Sequence, residues 1–195
     1  LAGYAHYTDT DVPGTPGGYF VQSTRARYDF HDPSLVPRGL QLTPRDALGV
    51  DTNIEYDAFD LFPLRVTDAI GLVTEAEYDL RALALRKVTD PNGNISEFGF
   101  SPLGLVTAEW ARGKDGEGDH ENPSVRREYD LFAFVEGSRP IWVRTLRRVH
   151  HDSESDVPAE RRNDVIECIE YSDGFGRLLQ TRSRAEDTLF RHGGL

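Results

Sequence analysis

Tyr56-Asp57, Val66-Thr67-Asp68, Gly71 and Thr74-Glu75 return 22 residues later as Tyr78-Asp79, Val88-Thr89-Asp90, Gly93 and Ser96-Glu97. A third pass begins, weakened, at Phe100-Ser101. An internal repeat fixes architecture before any local propensity does. A unit of this length holds two strands of ordinary size and two tight turns, so residues 54–107 read as an array of β-hairpins. The turns carry their own chemistry. In Asp90-Pro91-Asn92-Gly93-Asn94 an Asp opens the turn, Pro presets φ at the second position, and Gly is free to take positive φ. Asp68-Ala69-Ile70-Gly71 keeps the Asp and the Gly, and Ser101-Pro102-Leu103-Gly104 makes the other turn of the unit. Residues 83–89 and 94–100 are predicted to pair, with 105–111 continuing the sheet.

Working outward, residues 1–20 read as an irregular N-terminal segment, because Val12-Pro13-Gly14-Thr15-Pro16-Gly17-Gly18 cannot hold a regular element, and Tyr4, Tyr7, Tyr19 and Phe20 give it the packing surface of an ordered coil or edge strand. Residues 21–195 read as the hairpin region, with polar loops near 112–124 and 152–164. Arg27-Tyr28-Asp29 supplies an early Tyr-Asp pair. Thr43-Pro44-Arg45-Asp46-Ala47-Leu48-Gly49 has the order of a short helix: a capping Thr, Pro at the first position, an early Asp and a terminal Gly. Residues 112–124 contain no large apolar side chain, which predicts a solvated, mobile loop. Residues 125–135 and 140–150 are predicted to pair around Glu136-Gly137-Ser138-Arg139. A helical turn is expected at 159–163, and a last hairpin joins 165–171 to 177–184. The fold class is therefore all-β, consecutive antiparallel hairpins with one or two short helical turns.

Composition narrows the function. The net charge of −11 opposes binding to nucleic acid phosphates and to an anionic membrane surface. No apolar run approaches the length of a membrane-spanning helix, and no signal peptide is visible. The absence of Met suggests a fragment or a processed product. The 18 Gly and 11 Pro favour many short strands, and hydrophobic content of 38% suggests a chain that needs neighbours to cover its apolar faces.

Chemically tempting residues are few. Asp9 with Asp11, and His120 among its acidic neighbours, read as solvated loop charge rather than metal ligands. In His150-His151-Asp152, adjacent strand residues point to opposite faces, so the two imidazoles do not readily share a metal. This marks a strand end entering a polar loop. Cys168 stands beside Glu167 and near Glu170, which oppose thiolate formation, so it reads as a small packing residue. No catalytic residue, cofactor or metal is expected.

Tyr171-Ser172-Asp173-Gly174-Phe175-Gly176-Arg177-Leu178 resembles the YD repeat of Rhs-type proteins. Add Glu77-Tyr78-Asp79-Leu80-Arg81, Val88-Thr89-Asp90-Pro91-Asn92-Gly93-Asn94 and Ala185-Glu186, and about residues 40–190 look like one family. It is the Rhs-related C-terminal part of the B component of bacterial insecticidal toxin complexes, the TcaC/SpvB-like family. Tyr78-Asp79-Leu80-Arg81-Ala82-Leu83 departs from the pattern in lacking Gly-Arg, and Phe100-Ser101 in lacking Tyr and Asp.

The resemblance implies a segment of a larger curved shell, a YD/Rhs-type repeat sheet. In that family the B component, together with a C component, encloses a toxic effector, and other parts of the B chain dock onto a pentameric translocation channel. It implies a secreted protein with no nucleic acid partner, no direct membrane insertion and no enzymatic role. The repeat residues it marks are Tyr56, Asp57, Tyr78, Asp79, Asp90, Gly93, Tyr171, Asp173, Gly176 and Arg177. Their own chemistry agrees: Tyr supplies a packing surface with a hydroxyl, and Asp caps the following turn. The alternative is a β-sheet module of a bacterial surface or secreted protein that binds carbohydrate or protein through Trp110, Trp142 and the N-terminal aromatics. An enzyme would need His150, His151 or Cys168 to meet partners from distant sequence.

Overall fold

The computed structural model describes residues 4–8, 14, 16–21 and 23–184. Asp9, Asp11 and Ala185-Glu186 lie outside the described residues. The chain divides into two units, Leu1–Glu77 and Tyr78–Leu195. Each is built almost wholly from antiparallel strands joined in chain order.

In the first unit, β1 (Tyr4–Tyr7) pairs with β2 (Gly18–Val21), Tyr4 opposite Val21 and Tyr7 opposite Gly18. Of the ordered coil or edge strand expected within the irregular residues 1–20, the described residues take the strand form. Gly18, the last residue of the Pro/Gly stretch, opens β2, and the aromatics of the two strands zip them together. His6 meets Tyr19 and Tyr7 meets Phe20 edge-on, with ring centroids 5.0 and 6.0 Å apart. β3 (Arg25–Tyr28) pairs with β4 (Gln41–Arg45). Buried Asp29 organises the loop between them, accepting the backbone N–H groups of Phe30, Arg38 and Gly39 at 2.6–3.0 Å. β5 (Asn53–Tyr56) and β6 (Pro63–Thr67) form the next hairpin, and β7 (Val73–Asp79), whose last two residues belong to the second unit, follows β6.

The helix expected at 43–49 is corrected. Thr43 and Pro44 lie in β4, and the chain reverses at Asp46 to Gly49. Thr43 does not cap, because its residues are claimed by the ladder opposite β3. Asp46 and Gly49 serve instead the turn chemistry described below.

The second unit runs β8 (Ala84–Thr89), β9 (Ile95–Phe100), β10 (Val106–Arg112), β11 (Val125–Asp130), β12 (Ile141–Arg148), β13 (Val165–Ser172) and β14 (Leu178–Ser183). Each strand from β8 on pairs antiparallel with the next. The strands expected at 83–89, 94–100, 105–111 and 165–171 fall within a residue of these. The hairpin expected around residues 136–139 differs. β11 stops at Asp130, and α1 (Ala133–Gly137) fills the connection, with Ala133 fully buried. Asp130 accepts the Phe132 N–H at 3.2 Å, and Ser138 closes the helix at φ +51°. Residues 159–163 form turns, with the Arg161 N–H donating to the Pro158 carbonyl.

Among the described residues, Val125 and Ala133 are the buried apolar side chains. β10 and β12 are half-buried along nearly their whole length, instead of alternating buried with exposed. Alternation marks a sheet with one face on a core. Partial cover on both faces marks strands shielded mainly by their neighbours. The low apolar content therefore has a structural counterpart.

Candidate functional site

Asp90 shows what the repeat is built to do. Its Oδ1 accepts the N–H groups of Asn92 and Asn94 at 2.8 and 2.9 Å, while Oδ2 accepts the Asn94 side-chain amide at 2.8 Å. Two backbone bonds close the same turn: Asp90 N–H to the Asn94 carbonyl, and Gly93 N–H to the Asp90 carbonyl. Gly93 sits at φ +86°, a conformation open to Gly at little expense. These donors hold the Asp90 carboxyl below its ordinary pKa, the Asn94 side chain most and its N–H next.

The same turn recurs. Asp46 accepts Leu48 and Val50, Asp68 accepts Ile70 and Leu72, and Asp173 accepts Phe175 and Arg177, all through Oδ1 at 2.8–3.0 Å. The closing residues Gly49, Gly71 and Gly176 take φ of +77° to +85°. At Ser101 a hydroxyl replaces the carboxylate and accepts Leu103 and Leu105 at 3.3 and 3.2 Å. Asp57 caps a turn one residue longer, accepting Leu61 and Phe62, with Asp60 at φ +59° in the glycine's place. Asp79 accepts Arg81 and Ala82. Its carboxyl is held low by the Ala82 N–H first, against the opposing effect of burial.

Positions 46, 57, 68, 79, 90 and 101 fall 11 residues apart. The true unit is one strand and one turn, half the length of the visible repeat. Asp46 belongs to the series, although its residues read locally as a helix start.

The Tyr of the Tyr-Asp pair has a separate task. The Tyr56 hydroxyl donates to the Gln41 carbonyl at 3.2 Å, and the Tyr129 hydroxyl to the Val106 carbonyl at 2.6 Å. Gln41 and Val106 each begin the preceding strand, β4 and β10. The dipeptide thus ties back to one strand and caps the turn into the next. Burial raises the Tyr78 hydroxyl pKa. Tyr171 packs under the Arg182 guanidinium, 5.2 Å from its ring centroid. Arg177 reinforces its turn by donating from Nε to Asp173 Oδ2 at 2.7 Å. The Arg177 N–H is the largest influence holding the Asp173 carboxyl low, followed by that side chain.

A second constellation joins the two loops expected to be solvated. Asp119 is fully buried. Its Oδ2 accepts the Ser124 hydroxyl at 2.5 Å and lies 2.8 Å from His151 Nδ1. Its Oδ1 accepts Arg148 Nη1 at 3.0 Å and the Asp152 N–H at 2.9 Å. Asp152 returns the favour: Oδ2 accepts the N–H groups of His120, Glu121 and Asn122, and Oδ1 accepts Arg148 at 2.5 Å. Burial pushes both carboxyls up, but the donors win and both end below the ordinary aspartate value. Gly118, at φ +91°, admits no side chain, since a Cβ there would lie 2.3 Å from the Ala111 carbonyl oxygen.

The 112–124 loop, exposed at residues 114–117 and 120–122, is nonetheless tied by carboxylates some 30 residues apart in sequence. His150 and His151 follow the end of β12 and take different acids, Glu154 at 3.0 Å and Asp119. Among the described residues no group of His, Cys, Asp and Glu is arranged to hold a metal ion. Cys168, half-buried in β13, takes a hydrogen bond from the Ser183 hydroxyl at 3.7 Å. Trp110 and Trp142 are half-buried, Trp110 lying across Gly99. Among the described residues no helix is long and apolar enough to cross a membrane.

No family model matches the chain, and no curated protein sequence matches it. Solved structures do. A crystal structure of TcdB2-TccC3 superposes with a TM-score of 0.71 at 19% identity, over 94% of this chain and 10% of that one. The Tc holotoxin pore of Photorhabdus luminescens superposes with a TM-score of 0.68 at 17% identity, over 95% of this chain and 12% of that one. The chain is thus similar in fold to about a tenth of the length of these toxin-complex chains.

Proposed function

We propose that this chain is a structural, non-enzymatic wall segment of a secreted toxin-complex B component. With a C component it encloses a toxic effector, which leaves through a channel docked elsewhere on the full-length chain. The observation that carries this reading is the ladder of capped turns at a step of 11 residues. It builds a sheet by adding similar increments, with strands such as β10 and β12 half-covered along their length, and the fold matches Tc toxin-complex structures over nearly all of the chain. Such a sheet separates two spaces. The chemistry invested in it is turn closure and loop locking, both of which favour a rigid wall.

The test mixes the chain with a Tc C component and follows assembly by size-exclusion chromatography with light scattering, beside cryo-electron microscopy of the full-length protein. A stoichiometric closed particle with these hairpins in its wall is the expected result. A monodisperse monomer indifferent to the C component overturns the reading.

A further inference from the structure

The β3–β4 hairpin carries an arrangement that folding alone does not favour. Its register places Arg25 directly opposite Arg45. Like charges facing each other across an antiparallel pair are destabilising. Arg27, two residues along β3, lies on the same face as Arg25. The three arginines line a cavity of about 400 Å³, whose wall is completed by Ala26, Thr43, Asp51 and Asn53. This is a concentration of positive charge in a chain whose net charge is −11.

The neighbouring carboxylates fix the arginines without neutralising the cluster. Asp51 grips Arg45 through Nε and Nη2 at 2.5 and 2.6 Å. Asp32 holds Arg27 through one nitrogen at 2.8 Å. Arg25 has no carboxylate partner among the described residues. Among the residues of the cavity wall, three arginines stand against one acid, Asp51. Thr43 donates its hydroxyl to Asn53 Oδ1 at 3.3 Å, leaving the Asn53 amide nitrogen as a further donor. The donors come from paired strands, whose backbones are set by the ladder, so little ordering is needed on binding. A planar fork of N–H donors suits carboxylate and phosphate oxygens, where two parallel bonds form at once.

We propose that this pocket is an oxyanion-binding site, taking a carboxylate or phosphate group that Arg25 and Arg27 engage while Asp51 holds Arg45 beside it. The bound anion relieves the Arg25–Arg45 repulsion, so occupancy stabilises the hairpin. The site is separate from the capped turns and the Asp119 lock, and its existence does not depend on the wall-segment reading.

The experiment uses the whole ¹⁵N-labelled chain and follows the arginine Nε–Hε resonances by NMR at constant ionic strength. Inorganic phosphate is titrated in one series and N-acetyl-glutamate in another. The expected result is a saturable shift confined to Arg25, Arg27 and Arg45. Arg25→Gln weakens binding tenfold or more, Arg25→Lys weakens it less, and Arg126→Gln on β11 leaves it unchanged. Unaltered backbone amide spectra verify that Arg25→Gln is folded, and Arg27→Gln gives a second, independent loss. Saturation by phosphate alone assigns the site to a phosphate-bearing ligand. Saturation by N-acetyl-glutamate at equal or tighter affinity assigns it to an acidic side chain of a polypeptide. Linear, non-saturating shifts with both probes, or equal affinity in Arg25→Gln, overturn the proposal.

Discussion

Arg148 and Asp119 form an ion pair at 3.0 Å with their side chains 9% and 0% exposed, and the same Arg148 nitrogen reaches Asp152. One cation therefore stands between two carboxylates that are both largely out of water. Removing one partner of a buried pair costs about 3–5 kcal/mol, because the charge left behind is uncompensated. Arg148→Ala leaves two such charges. We expect it to lower unfolding free energy by about 3 kcal/mol or more in urea titrations followed by tryptophan fluorescence. A loss below about 1 kcal/mol would show that the lock contributes little.

The two glycines Gly118 and Gly71 separate sterics from backbone strain. Both have positive φ, but a Cβ at Gly71 meets nothing within 4 Å, whereas at Gly118 it strikes the Ala111 carbonyl oxygen. Gly71→Ala should cost about 1–2 kcal/mol, the strain of a non-glycine residue there. Gly118→Ala should cost clearly more and should release the 113–124 loop to hydrogen exchange. Equal losses in the two variants would contradict the clash.

Ser101 is the one member of the 11-residue series without a carboxylate, and its hydroxyl bonds of 3.2–3.3 Å are the longest of the set. Ser101→Asp should raise the urea midpoint, by about 0.5 kcal/mol, because a charged acceptor strengthens both turn bonds. The Arg81 guanidinium, already bonded to the Ser101 and Pro102 carbonyls, supplies a nearby cation. A lower midpoint would show that the turn has no room for the longer side chain.

Acid should unfold the chain in a defined direction. The carboxyls of Asp90, Asp119, Asp152 and Asp173 all lie below their ordinary value of 3.8 in the folded state. The unfolded chain takes up protons first as pH falls, so the stability these groups contribute is complete above the unfolded pKa. It is lost as pH drops through the folded values. Urea midpoints should therefore be level for these groups from pH 7 to about 5 and fall steeply below about 4. Asp119→Asn, which cannot titrate at that position, should flatten part of that fall. An unchanged slope in this variant would remove Asp119 from the account.

The sheet was legible because its information is local. Asp90, Pro91 and Gly93 sit within four residues and specify one turn, and the strands follow from the spacing between such turns. The Asp119 lock was not legible. Its partners Arg148, His151 and Asp152 are about 30 residues away, and nothing in Gly118-Asp119-His120 alone distinguishes a buried acid from a solvated one. Thr43 to Gly49 misled for the opposite reason. The same Asp and Gly serve a helix start or a hairpin turn, and only the strand partner of Pro44 decides between them.

The unit of one strand and one turn constrains how such a chain can change length. Inserting 11 residues would add a strand but reverse the direction of everything downstream, sending each later turn to the opposite side of the sheet. Inserting 22 restores the heading. Growth is therefore tolerated in even counts, and duplication of paired units leaves the longer period as the visible trace in the sequence. A sheet assembled this way would be lengthened two strands at a time.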